Sequence, residues 1–175
     1  NVEASVDYDY QIGKYEITNQ QYAQYLEKAL TNGDITVTTT VEGEYNGDTH
    51  WSSGTYEYFD LDSMDSRIAY SGGAFVVDTG YEDHPVTCVS WIGANAFAQN
   101  YGWALPTDQE WAKAVRGNTT TNFTWGSEPS PTHANYVDSG DQFDNGTTPV
   151  GYYDGGIHDG FQTSDSPSPY GAYDM

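Results

Sequence analysis

Residues 84–117, HPVTCVSWIGANAFAQNYGWALPTDQEWAKAVRG, carry two well-punctuated helices on a very short link. Ser90 suits the N-cap of the first, because its hydroxyl can accept from an unpaired first-turn amide. Trp91, Ala94, Phe97, Ala98 and Tyr101 recur at helical spacing and form its apolar face, and Gly102 suits the left-handed residue that closes it. Thr107 and Glu110 spell the reciprocal capping box of the second helix, whose buried stripe is Trp111, Ala114 and Val115 and whose stop is Gly117. Trp103 to Pro106 leave no room for a long loop, so the pair is expected to pack on one common core as a structural scaffold.

Working outward, residues 8–17, YDYQIGKYEI, alternate aromatic or β-branched with polar types and read as a strand with a turn near Gly13. Thr18, with Gln21 three residues on, opens a helix whose face is Tyr22, Tyr25, Leu26 and Ala29 and which ends at Asn32-Gly33. From Asp34 to Asp83 no helical period survives. ITVTTTVEGEY and GTYEYFDL read as strands with a tight turn at Asn46-Gly47, and AFVV after Gly72-Gly73 reads as another. Beyond Gly117 the chain is rich in Gly, Pro, Ser, Asp and Asn, and long irregular segments of this kind are usually functional or held by ions.

The charge balance excludes whole classes of partner. Against 26 acidic residues stand Lys14, Lys28, Arg67, Lys113 and Arg116, a formal net charge of -21 in 175 residues. Such a surface repels phosphate backbones and anionic lipid, so neither nucleic-acid binding nor membrane insertion is expected. Self-repulsion of this size calls for a salty medium, screening over about 8 Å at physiological ionic strength, or for bound divalent cations. The single cysteine, Cys88, allows no internal disulfide and reads as a small core residue in the apolar run Val86 to Trp91. No apolar run approaches the roughly 20 residues that span a bilayer. A polar start, 16 tyrosines and few lysines fit an extracellular or periplasmic protein, secreted and freed of its leader. The sequons at Asn118, Asn122 and Asn145 permit glycosylation in a host that performs it.

No repeat, phosphate loop, nucleophile elbow or HExxH signature is present. Asp60, Asp62 and Asp65 cluster locally but read as a solvated loop. The region from Asn135 to Asn145 is the better cation candidate, because Asp138, Asp141, Asp144 and Asn145 crowd hard oxygens into an irregular loop of the kind calcium accepts.

YEITNQQYAQYL, HPVTCVSWIGANAFAQ, ALPTDQEWAKAVRG, FTWGS, ANY, TTPVGYY and SPYGAYDM follow one another in an order that resembles the formylglycine-generating enzyme family, the sulfatase-modifying factor domain, across nearly the whole chain. The resemblance implies an α+β fold of C-type-lectin-like form, loop-rich, with about three short helices and short antiparallel strands, in a single domain over 1–175. It also implies a calcium ion held by Asn135, by Tyr136 through its carbonyl, and by the Asp-x-aromatic pair Asp141 and Phe143 ahead of Thr148-Pro149-Val150. In the family, oxygen-dependent oxidation of a sulfatase cysteine is carried by paired cysteines beyond the YGAYDM segment. Cys88 lies upstream in the VSW segment, and the chain stops at Met175.

The reading that follows is a secreted, calcium-stabilised module used in binding or extracellular assembly, with no catalytic residues of its own. Its fold is expected to be completed by another chain, a separated C-terminal piece or a second copy. The alternative is the N-terminal part of a formylglycine-generating oxidase acting on a sulfatase cysteine. A further alternative is a lectin-like glycan binder using Trp51, Trp103 or Trp125 as platforms.

Overall fold

The computed structural model describes residues 6–143 and 146–175 and shows an α+β chain of three helices and short antiparallel sheets. It divides into two compact units, Ile17–Leu105 and a second made of Asn1–Glu16 with Pro106–Met175.

The first unit holds α1 (Asn19–Asn32), β1 (Ile35–Val37), β2 (Thr40–Tyr45), β3 (Gly54–Asp60), β4 (Ile68–Ser71), β5 (Ala74–Val77) and α2 (Trp91–Asn100). Thr18 and Gln21 close the capping box of α1, and Gly33, at φ 80°, ends it. The face Tyr22, Tyr25, Leu26 and Ala29 is buried as the 3.6-residue period requires. It packs with Val41, Phe59, Ile68, Ile92 and Phe97 into one apolar core. β1, β2 and β3 form an antiparallel sheet with a bulge at Val41/Glu42, and β4 and β5 a hairpin turned by Gly72 and Gly73, both at positive φ. Gly43 lies under the Tyr58 ring, whose hydroxyl donates to the Glu44 carbonyl at 2.7 Å, so that strand position admits no side chain without moving the ring.

The second unit holds α3 (Asp108–Arg116), β6 (Ile157–His158) and β7 (Phe161–Gln162), the last two paired antiparallel. Its buried set mixes Ala114, Val115, Tyr152, Tyr153 and Ala172 with Ser139, Asp141, Thr163, Ser166 and Ser168. Loops with so much polar interior hold together through hydrogen bonds from side chain to backbone. Ser166 Oγ, for example, donates to the His133 carbonyl, and Ser168 Oγ accepts from the Ala172 amide.

Several expectations need correction. The two central helices do not share one core, since α2 contributes Ile92 and Phe97 to the first unit while α3 buries Ala114 and Val115 in the second. Trp91 and Trp111 are about half exposed, and the buried face of α2 is Ile92, Gly93, Phe97 and Ala98. The cause is Gly93: a Cβ there would sit 2.2 Å from the Tyr58 carbonyl oxygen, so α2 lies directly on the β3 backbone at the one residue that permits it. Residues 8–17 form no strand. Their alternation instead aims Tyr8 and Tyr10 at Glu110 of α3, the first hydroxyl donating to its carboxylate and the second to its carbonyl. Asn46-Gly47 is no two-residue turn; residues 46–53 make a longer loop in which Asp48 Oδ1 accepts from the amides of His50 and Trp51. Cys88 is half-buried against the core and adopts a left-handed φ of 61°, a conformation few non-glycine residues take.

Candidate functional site

The loop from Asn135 to Gly146 is organised by a closed circuit of hydrogen bonds. Asn135 Nδ2 donates to the Gly146 carbonyl at 2.8 Å, and the Gly146 amide donates to the Phe143 carbonyl at 2.7 Å. The Phe143 amide donates to Asp141 Oδ1 at 2.6 Å, and Ser139 Oγ donates to Asp141 Oδ2 at 2.7 Å. The Ser139 amide then donates to the Tyr136 carbonyl at 2.9 Å, next to Asn135 again. The structure thereby gathers Asn135, Tyr136, Asp141 and Phe143 in one short loop. Of the other members of the acidic cluster, Asp138 is exposed at a left-handed φ of 68°, and Asp144 and Asn145 lie outside the described residues.

Asp141 anchors the loop. Its side chain is buried, and Tyr153 Oη adds a third bond to the carboxylate at 3.0 Å. Burial and that bond to Asp141 push the Tyr153 hydroxyl far above its ordinary 10.0, so it stays a donor under all ordinary conditions. A carboxylate offers about four lone-pair sites, and three are taken.

Asn135, Tyr136, Asp141 and Phe143 bring oxygen atoms of the hard-ligand type into this loop. Among the described residues no three of His, Cys, Asp and Glu gather round a point, so a site here draws on amide and carbonyl oxygens beside the one carboxylate. Asn135 spends its NH2 end on Gly146 and keeps its Oδ1 as an oxygen donor. The carbonyls of Tyr136 and Phe143 accept from the amides of Ser139 and Gly146. This mixture of carboxylate, side-chain amide and backbone carbonyl is calcium chemistry and does not suit zinc or copper.

The other candidates fare differently. Asp60, Asp62 and Asp65 lie in a capped turn, where Asp60 Oδ1 accepts the Asp62 amide and Ser63 Oγ the Asp65 amide. Trp125 is no open platform: it lies between Phe123 at 5.0 Å and His133 at 5.1 Å, both nearly parallel to it. Trp51 and Trp103 are exposed, the latter stacked on Tyr101 at 5.1 Å.

Residues 3–175 match the sulfatase-modifying factor enzyme 1-like domain, and the chain belongs to that family, whose members can bind calcium. The serine/threonine-protein kinase pkn1 of Chlamydia caviae is 30% identical over 164 residues, covering 92% of this chain and 20% of that protein. A formylglycine-generating enzyme of Streptomyces coelicolor is 44% identical over 54 residues, 30% of this chain and 17% of the enzyme. Hercynine oxygenase of Mycobacterium tuberculosis is 27% identical over 137 residues, 72% of this chain and 29% of that protein. The chain thus spans 20% of the length of the Chlamydia caviae protein it matches.

Proposed function

We propose that this chain is a calcium-stabilised, non-catalytic module of the sulfatase-modifying factor family, acting in binding or assembly outside the cell. The observation that carries the reading is the closed circuit joining Asn135, Tyr136, Asp141 and Phe143. In it Asp141 supplies charge, Asn135 its amide oxygen, and Tyr136 and Phe143 their carbonyls. A bound calcium ion offsets part of the repulsion within a chain of net charge -21 and fixes a unit whose interior is held mainly by polar contacts. An extracellular setting, where calcium is abundant, suits the same composition. The chlamydial kinases contain the matching stretch as a fraction of a longer protein, which supports a modular use.

The second reading, part of a formylglycine-generating oxidase, is favoured by the 44% identity to the Streptomyces coelicolor enzyme. Cys88, the single cysteine of this stretch, is half-buried beside the core and does not stand where the family's pair stands. Incubating the protein at its natural length, with whatever follows Met175, with oxygen and a peptide carrying CxPxR, followed by mass spectrometry, separates the two. The binding reading predicts an unchanged cysteine, and conversion to an aldehyde would overturn it.

A further inference from the structure

The chain holds the tripeptide Asn-Gly-Asp twice, at residues 32–34 and 46–48, and a third Asn-Gly pair at 145–146. Asparagine before glycine is the arrangement most open to attack of the next backbone nitrogen on the side-chain amide, because glycine has no Cβ to block the approach. Two copies of one tripeptide have the same intrinsic chemistry, so a difference in their reactivity is made by the fold.

The fold treats the two copies oppositely. Asn32 is the last residue of α1, and the Gly33 amide donates to the carbonyls of Leu30, at 3.0 Å, and Ala29. The Asn32 carboxamide is held as well, its Nδ2 donating to Asp34 Oδ2 at 3.2 Å. Asn46 follows the end of β2 and opens the loop to β3. Among the described residues neither its carboxamide nor the Gly47 amide has a hydrogen-bond partner. The rest of that loop is tied down. Asp48 takes the amides of His50 and Trp51 on Oδ1 and the Tyr45 hydroxyl on Oδ2, and its own amide donates to the Trp51 carbonyl at 2.8 Å. Exposure does not separate the two copies, since Asn32 and Asn46 are both exposed. The commitment of the reacting groups does. At the third pair the Gly146 amide is committed to the Phe143 carbonyl at 2.7 Å.

We propose that Asn46 is a site of spontaneous modification in the folded protein, converted with water as co-reactant to aspartate and isoaspartate, while Asn32 is protected. The Gly47 nitrogen, its proton taken by hydroxide, attacks Asn46 Cγ. The new C–N bond forms, the Cγ–Nδ2 bond breaks, and Nδ2 leaves as ammonia with a proton from water. Water then opens the five-membered imide at either carbonyl, giving aspartate or an isoaspartate whose backbone runs through Cβ. The sum is asparagine and water to a carboxylic residue and ammonia, with no change of oxidation state. The product sets a new carboxylate two residues from Asp48 on a chain of net charge -21. It does so in the loop that presents Trp51, which is half exposed and stands edge-on to Tyr56 at 5.9 Å.

The test keeps the 175-residue chain warm in mildly alkaline buffer, with a parallel sample in denaturant, and maps its peptides by mass spectrometry. Isoaspartate is measured by enzymatic methyl labelling. In the folded chain Asn46 should convert on the order of 10-fold faster than Asn32, a factor set by the hydrogen bonds that must open before Gly33 can react. In denaturant the two rates should converge. Asn46→Gln should lose the fast conversion and keep the slow one. Equal rates in the folded chain, faster conversion of Asn32, an Asn46 that reacts only in denaturant, or fast isoaspartate formation persisting in Asn46→Gln would each overturn the proposal.

Discussion

Tyr153 donates its hydroxyl to Asp141 Oδ2 at 3.0 Å, and both side chains are buried. The bond ties residue 141, in the middle of the candidate calcium loop, to the segment that follows Thr148-Pro149-Val150. Tyr153→Phe leaves the carboxylate with the Ser139 hydroxyl and the Phe143 amide as its donors and should cost roughly 1–3 kcal/mol. Asp141→Ala removes the acceptor of all three bonds and should cost more. Chemical denaturation of the two variants beside the parent measures both, and equal stability of all three would contradict the anchoring role.

The α3 capping box carries a pH dependence whose sign is fixed by its geometry. Glu110 accepts from the Thr107 amide at 2.7 Å, the Thr107 hydroxyl at 2.8 Å and the Tyr8 hydroxyl at 2.9 Å. These bonds, the Thr107 amide first, hold its carboxyl below the ordinary 4.5 in the folded chain. A carboxyl lowered on folding stabilises above its unfolded value, and that stabilisation is lost as pH falls through the folded value. Melting temperature should therefore decline on acidification below about 4.5, less steeply in Glu110→Gln. Thr107→Ala, which removes the cap at any pH, should cost about 1 kcal/mol.

Local chemistry made the helices legible. Thr18 with Gln21, Ser90, and Thr107 with Glu110 each announce a helix start that the structure reproduces, because a cap is a contact between residues three apart. What the sequence concealed depends on distant partners. Nothing in YDYQIGKYEI says that its tyrosines reach Glu110 about a hundred residues away, or that no strand pairs with it. Nothing around Gly93 announces Tyr58, so Trp91 is expected inside and is found half exposed. Asn135, Tyr136, Asp141 and Phe143 are named as a set by the resemblance alone, and the structure shows them within one short loop. The Ser139 and Tyr153 bonds that steady Asp141 were not, since serine and tyrosine carry no ligand signature.

The α2–β3 contact provides a further check. A Cβ at residue 93 would lie 2.2 Å from the Tyr58 carbonyl oxygen, and backbone cannot swing aside as a side chain can. Gly93→Ala should cost about 2–3 kcal/mol or more, although alanine is the better helix former by about 1 kcal/mol. Thermal unfolding with circular dichroism reads this directly. A variant as stable as the parent would mean that α2 does not rest on β3 at this point.

The account as a whole turns on calcium at the Asn135–Gly146 loop. The most direct measurement is the melting temperature of the purified chain with calcium in excess and after chelation, together with the calcium content of the protein by elemental analysis. Saturation at about a hundred times the dissociation constant stabilises by roughly 2.7 kcal/mol, which for a chain of this size is a shift of roughly 5–10 °C. The account predicts about one calcium ion per chain, a fall of that order on chelation, and no chelator effect in Asp141→Ala. An unchanged melting temperature in the parent chain, with no calcium bound, would contradict it.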